Sequence, residues 1–293
     1  MIKGKMKILH SILFTLLALG SSGCKNLEEN KDEKHKFTIF QNNLDSVVGP
    51  EDEVSLLKAF PKALYKIYTI DNLGSFYIDS RVDLIKNQLA AGRAWEDNFI
   101  PLLEQYITPG TTVVDIGAHI GTHTLSMSKL VGSKGRVVAF EPQIKLYSEL
   151  VMNMVLNKCQ NVTIYRCALG DTFKSIEMNP SVAGNEGGTS IGSGGDSAEM
   201  ITLDSLHLDN VSFIKMDVEN FEYEVLLGAK ETILRNRPYI ILEIMGNVYN
   251  PIANRGELVQ QTIAAIEQLG YSLKYIDGSW SDWLATPLER VNQ

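Results

Sequence analysis

From Gly110 onward the chain alternates short runs that are apolar almost throughout with longer runs whose apolar residues return every three or four positions. The first pattern suits strands covered on both faces, and the second suits helices laid across them. "TTVVDIG" reads as strand, "THTLSMSKLV" as helix, "GRVVAFEP" as strand, "KLYSELVMNMVLN" as helix and "NVTIYRCAL" as strand. "VSFIKMD" follows as strand, "EYEVLLGAKETILRN" as helix, "PYIILEIM" as strand and "ELVQQTIAAIEQLG" as helix, before a strand pair near "YSLKYI" and "DWLATP". That order predicts an α/β fold with a doubly wound, mostly parallel sheet. Ligands of such sheets sit at the carboxyl ends of the strands, where Asp115, Glu141, Asp217 and Glu243 fall.

The first two dozen residues follow another pattern. Lys3, Lys5 and Lys7 precede an apolar run from Ile8 to Leu19, and "GSSGC" ends at Cys24. That is the layout of a secretory signal, and a run of about a dozen residues is short of the roughly 20 that span a bilayer. The small residues before Cys24 resemble a bacterial lipobox, with Ser21 where leucine is usual. Residues 1–24 are therefore expected to be a lipoprotein-type signal peptide with Cys24 lipidated; an uncleaved anchor or a start at Met6 are the other readings. "KNLEENKDEKHK", residues 25–36, is a charge mixture expected to be a solvated linker. The expectation is a lipoprotein of the bacterial cell envelope that meets the membrane through its lipid anchor, with a cytoplasmic location as the alternative.

The composition, 293 residues with 44% hydrophobic and 21% charged, suits one α/β domain with an extension. A formal charge of -8 without a lysine or arginine run argues against a nucleic acid partner and for a small molecule. Strand residues separate Cys159 from Cys167 by roughly 20 Å, beyond disulfide reach, so both are expected to be buried small hydrophobes. No zinc spacing is present. "AGNEGGTSIGSGGD", residues 183–196, reads as a mobile loop, either a lid over substrate or a passive connection.

The turn "DIGAHIG", Asp115 to Gly121, carries the chemistry. A dinucleotide site wants G-x-G-x-x-G so that a pyrophosphate meets bare backbone amides, and Asp115 would repel it. S-adenosylmethionine has no phosphate; it brings a sulfonium, an ammonium and a ribose diol, which suit Asp115 and Glu141. The segment from "GRAWEDNF" through "VVDIGAHIGTHTL" and "GRVVAFEP", with "RCALGD", "TLDSL" and "FIKMDVENFEYEVLLGA", resembles the FkbM family of S-adenosylmethionine-dependent methyltransferases over about Asn72 to Pro287.

The resemblance implies a class I methyltransferase fold, Rossmann-like with a seven-stranded sheet, behind an N-terminal extension of helices and strands. Residues 37–105 would form the cap and residues 106–293 the methyltransferase domain. It implies S-adenosyl-L-methionine as cofactor and O-methylation of a hydroxyl on a sugar, glycolipid or natural product. Asp115, Gly117 and Gly121 match the cofactor loop, Glu141 the ribose acid, Cys167 and Ala168 the adenine edge, and Glu96 a "WE" pair on the entry side. Two departures are His119, where asparagine is usual, and Asn220, where glycine is usual. The first bears on a contact to the methionine part of the cofactor, the second on a helix cap.

Methyl transfer needs alignment and a proton acceptor. Asp217 and Glu219, two residues apart, would point to one side of the sheet edge and are the candidate catalytic pair; the alternative is that Glu219 serves the following helix dipole and Asn220 caps that helix. His119 is expected at the cofactor or as base, and His123 as a partly buried helix residue. Asp217, Glu243 and Asn247 would be the ligands of a magnesium site, but no metal is expected. Trp280 and Trp283 read as a carbohydrate face or as a hairpin packing pair. Two other functions remain open at this stage: a non-catalytic envelope lipoprotein that keeps the fold as a binding module, and an NAD-dependent oxidoreductase, which the turn disfavours.

Overall fold

The computed structural model describes residues 38–40, 60–245, 256–279 and 281–291. The signal and linker segments, Asn247 and Trp280 lie outside the described residues. Among those described, no helix is long and apolar enough to cross a membrane.

Among the described residues the main sheet has the seven expected strands and an eighth added at its edge. They are β1 (Thr38–Phe40), β4 (Thr112–Ile116), β5 (Arg136–Phe140), β6 (Val162–Tyr165), β11 (Val211–Met216), β12 (Tyr239–Glu243), β13 (Tyr271–Tyr275) and β14 (Asp282–Pro287). Their order is β1-β6-β5-β4-β11-β12-β14-β13. All neighbours pair in parallel except β14, which runs antiparallel to both β12 and β13. The eighth strand, β1, adds to the edge at β6, with Thr38 opposite Thr163.

Every residue of β4 is buried because both faces are covered. Its neighbours in sequence point to opposite faces. Val113 faces a core with Leu125 and Met127 of α3 (Thr122–Val131), Leu146 and Leu150 of α4 (Ile144–Leu156) and Leu103 of α2 (Ile100–Tyr106). Val114 faces a second core with Val225 of α5 (Glu222–Gly228), Ile233 of α6 (Lys230–Asn236) and Ile266 of α7 (Gly256–Gln268).

Two predicted elements divide. "NVTIYRCAL" breaks at Arg166, and β7 (Cys167–Leu169) leaves the main sheet for a small one with β8 (Lys174–Met178), β9 (Ile191–Gly192) and β10 (Ser197–Ile201). The predicted helix at 222–236 breaks at Ala229, and the carboxylate of Asp204 accepts hydrogen bonds from Glu231 N and Thr232 N at the new helix start, at 2.9 and 2.7 Å.

The cap consists of the hairpin β2 (Tyr65–Ile70) and β3 (Gly74–Asp79), followed by α1 (Leu84–Ala90) and α2. Phe76, Leu89 and Leu103 share the first core, so cap and sheet fold around common apolar residues. Polar bonds fasten the same contact: Tyr65 Oη donates to Glu149 Oε1 at 2.8 Å and Tyr77 N to Asn153 Oδ1 at 2.8 Å. Lys86, fully buried, places Nζ 3.3 Å from Asp79, 2.8 Å from Glu149 and 2.6 Å from Glu186. Lys145 Nζ joins the same three carboxylates at 3.0, 3.0 and 2.6 Å. Burial pushes the Glu186 carboxyl up, but Lys145 and Lys86 outweigh it and hold its pKa at about 2. Glu186 belongs to the glycine-rich segment 183–196. That segment is fastened near its middle: Glu186 N also donates to Asp83 Oδ2 at 2.8 Å, and Glu186 and Thr189 are buried.

Candidate active site

A cavity of about 550 Å³ opens at the carboxyl ends of β5, β4, β11 and β12. Leu84, Ile85, Trp95 and Glu96 of the cap and the segment from Asn185 to Ile191 roof it. Of the residues singled out from the sequence, Glu96, Gly117, His119, Glu141, Cys167, Ala168, Asp217 and Glu219 line the wall.

Asp115 and Gly121, in the same turn, are not among the lining residues. Asp115 is fully buried behind the turn, where its Oδ2 accepts from Thr124 Oγ1. Gly121 takes φ +92° at the start of α3, and a Cβ there would stand 2.6 Å from Leu150 Cδ1. Both residues shape the turn from beneath. Gly117 is on the wall with φ +80°, and a Cβ there would stand 1.8 Å from the Asp217 carbonyl oxygen. Only glycine lets β4 and β11 close at that point.

Glu141 ends β5 with both oxygens engaged: Oε2 accepts from His119 N at 3.0 Å and Oε1 from Gln143 N at 2.9 Å. Burial nevertheless raises its pKa to about 7. His119 has φ +52°, and its imidazole is buried against Gly187, whose Cβ position would be 3.1 Å from His119 Cδ2. Neither ring nitrogen has a hydrogen-bond partner, and burial lowers the pKa to about 4, which keeps the ring neutral. His123 is buried as expected for a helix residue, and Nε2 lies 2.8 Å from Glu96 Oε2. Burial would raise the Glu96 pKa, but the bond to His123 brings it below the ordinary value.

Acids crowd the far side. Asp217 Oδ2 accepts from Lys215 Nζ at 3.0 Å; burial favours the neutral acid, yet Lys215 wins and lowers the pKa. Asp217, Glu219 and Glu243 each present an oxygen within 4.8 Å of the others. Burial, then the charge of Asp217, raises Glu243 to about 9; burial, then Glu96, raises Asp282 to about 7. Asn220 takes φ +73° and caps nothing: the residue before α5 is Phe221, and Glu222 Oε1 reaches back to accept from Val218 N at 3.2 Å. The departure from glycine there is a backbone matter rather than a cap. Cys167 and Cys159 are buried free thiols, and burial pushes Cys167 to about 12. Trp283 packs edge-on against Tyr275 at 5.6 Å, a hairpin pair.

Sequence reasoning missed Lys215 and Asp282. A lysine inside the apolar strand "VSFIKMD" was the available signal, since a buried ammonium needs acids around it. Asp282 carries no such signal, because only the antiparallel pairing of β14 brings it opposite Glu243.

The wall fits S-adenosylmethionine. Glu141 is a buried acid for a diol, Phe140, Ala168, Leu169 and Met178 are an apolar lining beside it, and His119 has two unspent nitrogens. Strand order, antiparallel β14 and a glycine turn after β4 define a class I S-adenosylmethionine-dependent methyltransferase. The methyltransferase FkbM domain profile matches residues 115–273, and the chain belongs to that family. A protein-L-isoaspartate(D-aspartate) O-methyltransferase profile also matches residues 46–175. Among curated proteins, protein-L-isoaspartate O-methyltransferase 1 of Arabidopsis thaliana is 22% identical over 41% of this chain, and the match spans about half of that protein, 51%. Among solved structures, methyltransferase FkbM from Methylobacillus flagellatus KT is 18% identical, with 69% of this chain and 52% of that one covered at a TM-score of 0.43. An O-methyltransferase from Thermotoga maritima is 11% identical, with 78% and 94% covered at a TM-score of 0.43.

Proposed function

We propose that this methyltransferase acts on oxygen, at a hydroxyl of a sugar, glycolipid or natural product. The observation that supports this reading is the composition of the wall away from Glu141: one indole, Trp95, and the carboxyl groups of Glu96, Asp217, Glu219, Glu243 and Asp282. An aromatic face and carboxyl groups that include both ionised acceptors and acids that keep a proton to donate suit a polyol.

When bound, S-adenosylmethionine supplies an electrophilic methyl group on its sulfonium. The chain's own residues orient the acceptor and take its proton. Asp217, charged and fixed by Lys215, accepts the O–H of the acceptor, and Glu219 beside it is the partner for the released proton. Glu243, neutral below about pH 9, keeps a proton to donate while its Oε1 accepts from Ser281 Oγ at 2.6 Å.

The isoaspartate methyltransferase likeness favours a second reading, esterification of a carboxyl group on a protein. Glu96 and Asp217, both held below the ordinary carboxyl value, would repel such a substrate, with Lys215 already paired to Asp217. The two readings differ in product. Incubation with labelled methyl donor, a panel of glycosides and an isoaspartyl peptide is expected to give label in a base-stable ether on a glycoside. Label released by mild base from the peptide would establish the ester instead.

A further inference from the structure

The cavity is one-sided in charge. Six carboxyl groups line it, those of Glu96, Glu141, Asp217, Glu219, Glu243 and Asp282, and among the described residues no lysine or arginine does. The one basic side chain on the wall is His119, which burial keeps neutral with a pKa of about 4. Lys215 stands behind the wall, 4% exposed, with its Nζ bonded to Asp217 at 3.0 Å. S-adenosylmethionine brings one net positive charge and sets Glu141 against its ribose. The acids of the far side still outnumber the cations that Lys215 and the cofactor supply, and burial, then the charge of Asp217, raises the Glu243 pKa to about 9. The wall also waits for a ligand: neither ring nitrogen of His119, itself 8% exposed, has a hydrogen-bond partner.

Elsewhere the chain shows how it holds an ammonium group. Lys86 Nζ, with three N–H donors on a fully buried side chain, sits among Asp79, Glu149 and Glu186 at 3.3, 2.8 and 2.6 Å. Those carboxylates present oxygens within 4.8 Å of one another, and among the described residues one other trio does the same: Asp217, Glu219 and Glu243. The first trio closes over a lysine of its own chain. The second lines the cavity, with Lys215 at Asp217 behind it. Trp95 adds an indole to the same cavity, and the face of an indole attracts a cation.

We propose that the acceptor carries an ammonium group on the carbon next to the hydroxyl that is methylated, as in an amino sugar, and that Glu243 receives the ammonium while Asp217 and Glu219 receive the hydroxyl. This inference rests on the oxygen-transfer reading above and narrows its acceptor. The three carboxyl groups stand close enough for one vicinal amino alcohol to bridge them. An ammonium beside Glu243 favours its ionised form, and the displaced proton leaves to water.

The test is transfer of labelled methyl by the full chain to three glycosides that differ at one carbon: methyl glucoside, methyl 2-amino-2-deoxyglucoside and the N-acetyl derivative of the latter. The amine is expected to exceed both neutral glycosides in kcat/KM by on the order of 10- to 100-fold, with the label in an ether on oxygen. Glu243→Gln, which keeps the shape and removes the ionisable group, is expected to shrink that ratio to near unity, and Glu243→Ala to do the same; a merely structural role would lower all three acceptors alike and leave the ratio in place. Equal kcat/KM for the amine and the neutral glycosides overturns the proposal and leaves the oxygen reading standing, and so does transfer to the neutral glycosides alone. A requirement for added Mg²⁺, abolished by a chelator, gives the trio to a metal ion and overturns the ammonium. Label on the nitrogen of the amine, or label in an isoaspartyl peptide and in no glycoside, overturns the oxygen reading and this inference with it.

Discussion

Three of the nine non-glycine residues with left-handed backbone among those described stand on the cavity wall. Glu96, His119 and Glu219 line the cavity with φ of +47°, +52° and +56°, and each carries a polar side chain into it. Asn220 shares the conformation, at φ +73°, but stays off the wall. It therefore bears the backbone cost without a ligand to justify it. Asn220→Gly is expected to stabilise the protein by up to about 1 kcal/mol, seen as a higher urea midpoint at constant slope. A lower midpoint would mean that the asparagine side chain matters to the turn in a way its geometry does not reveal. The same scale shows what spacing can and cannot tell. "DIGAHIG" located the turn, and Glu141 followed from its place after the next strand. The pattern could not separate Gly117, which the Asp217 carbonyl after β11 needs bare, from Gly121, which α4 needs bare, because both are glycines in one turn. An acid before a glycine turn also reads alike whether its side chain faces the cavity or, as with Asp115, accepts from Thr124.

At the scale of elements, apolar strands and amphipathic helices were legible because both sheet faces are covered, so β4 and β11 are apolar almost from end to end. What local pattern missed was set by distant partners. The helix at 222–236 breaks where a Cβ on Gly228 would stand 1.9 Å from Gly170 O, and Asp204, from a different segment, caps the new start. The glycine-rich segment looked loose because its buried tether, Glu186, pairs with Lys86 about a hundred positions earlier. That tether joins the cap hairpin, α4 and the cavity roof. Lys86→Met leaves Asp79, Glu149 and Glu186 with Lys145 and the exposed Arg81, and without the one cation buried among them. Removing one partner of a buried charge cluster is expected to cost roughly 3–5 kcal/mol. Hydrogen exchange should then accelerate first in β2, β3 and residues 184–189 while β4 and β11 stay protected. Uniform acceleration across the sheet would mean that the cluster has no special hold on the roof.

At the scale of the whole molecule, the cavity stores electrostatic cost. Burial raises Glu141 and Asp282 to about 7, Glu222 to about 8 and Glu243 to about 9, all from ordinary carboxyl values. Each of these acids binds its proton more tightly folded than unfolded, so above pH 4.5 the folded state holds more protons, and stability falls as pH rises through those values. His119 works the other way, but only between about pH 4 and 6.5, because its folded pKa is the lower one. Glu186, held at about 2, contributes its stability fully above pH 4.5 and does not change in this range. From pH 6.5 to 9 the raised carboxyls therefore decide the trend, and the melting temperature of the ligand-free chain is expected to fall across that window. Glu243→Gln removes the acid that titrates last and should flatten the upper part of the curve. S-adenosylmethionine carries net positive charge and favours the ionised acids, so the stabilisation it confers should grow as pH rises over the same interval. A wild-type melting temperature that holds or climbs from pH 6.5 to 9 would mean that the acids ionise at their ordinary values and that the cavity wall is wet. A Glu243→Gln curve parallel to wild type would locate the cost elsewhere, at Glu222 beneath the turn rather than on the wall that meets the acceptor.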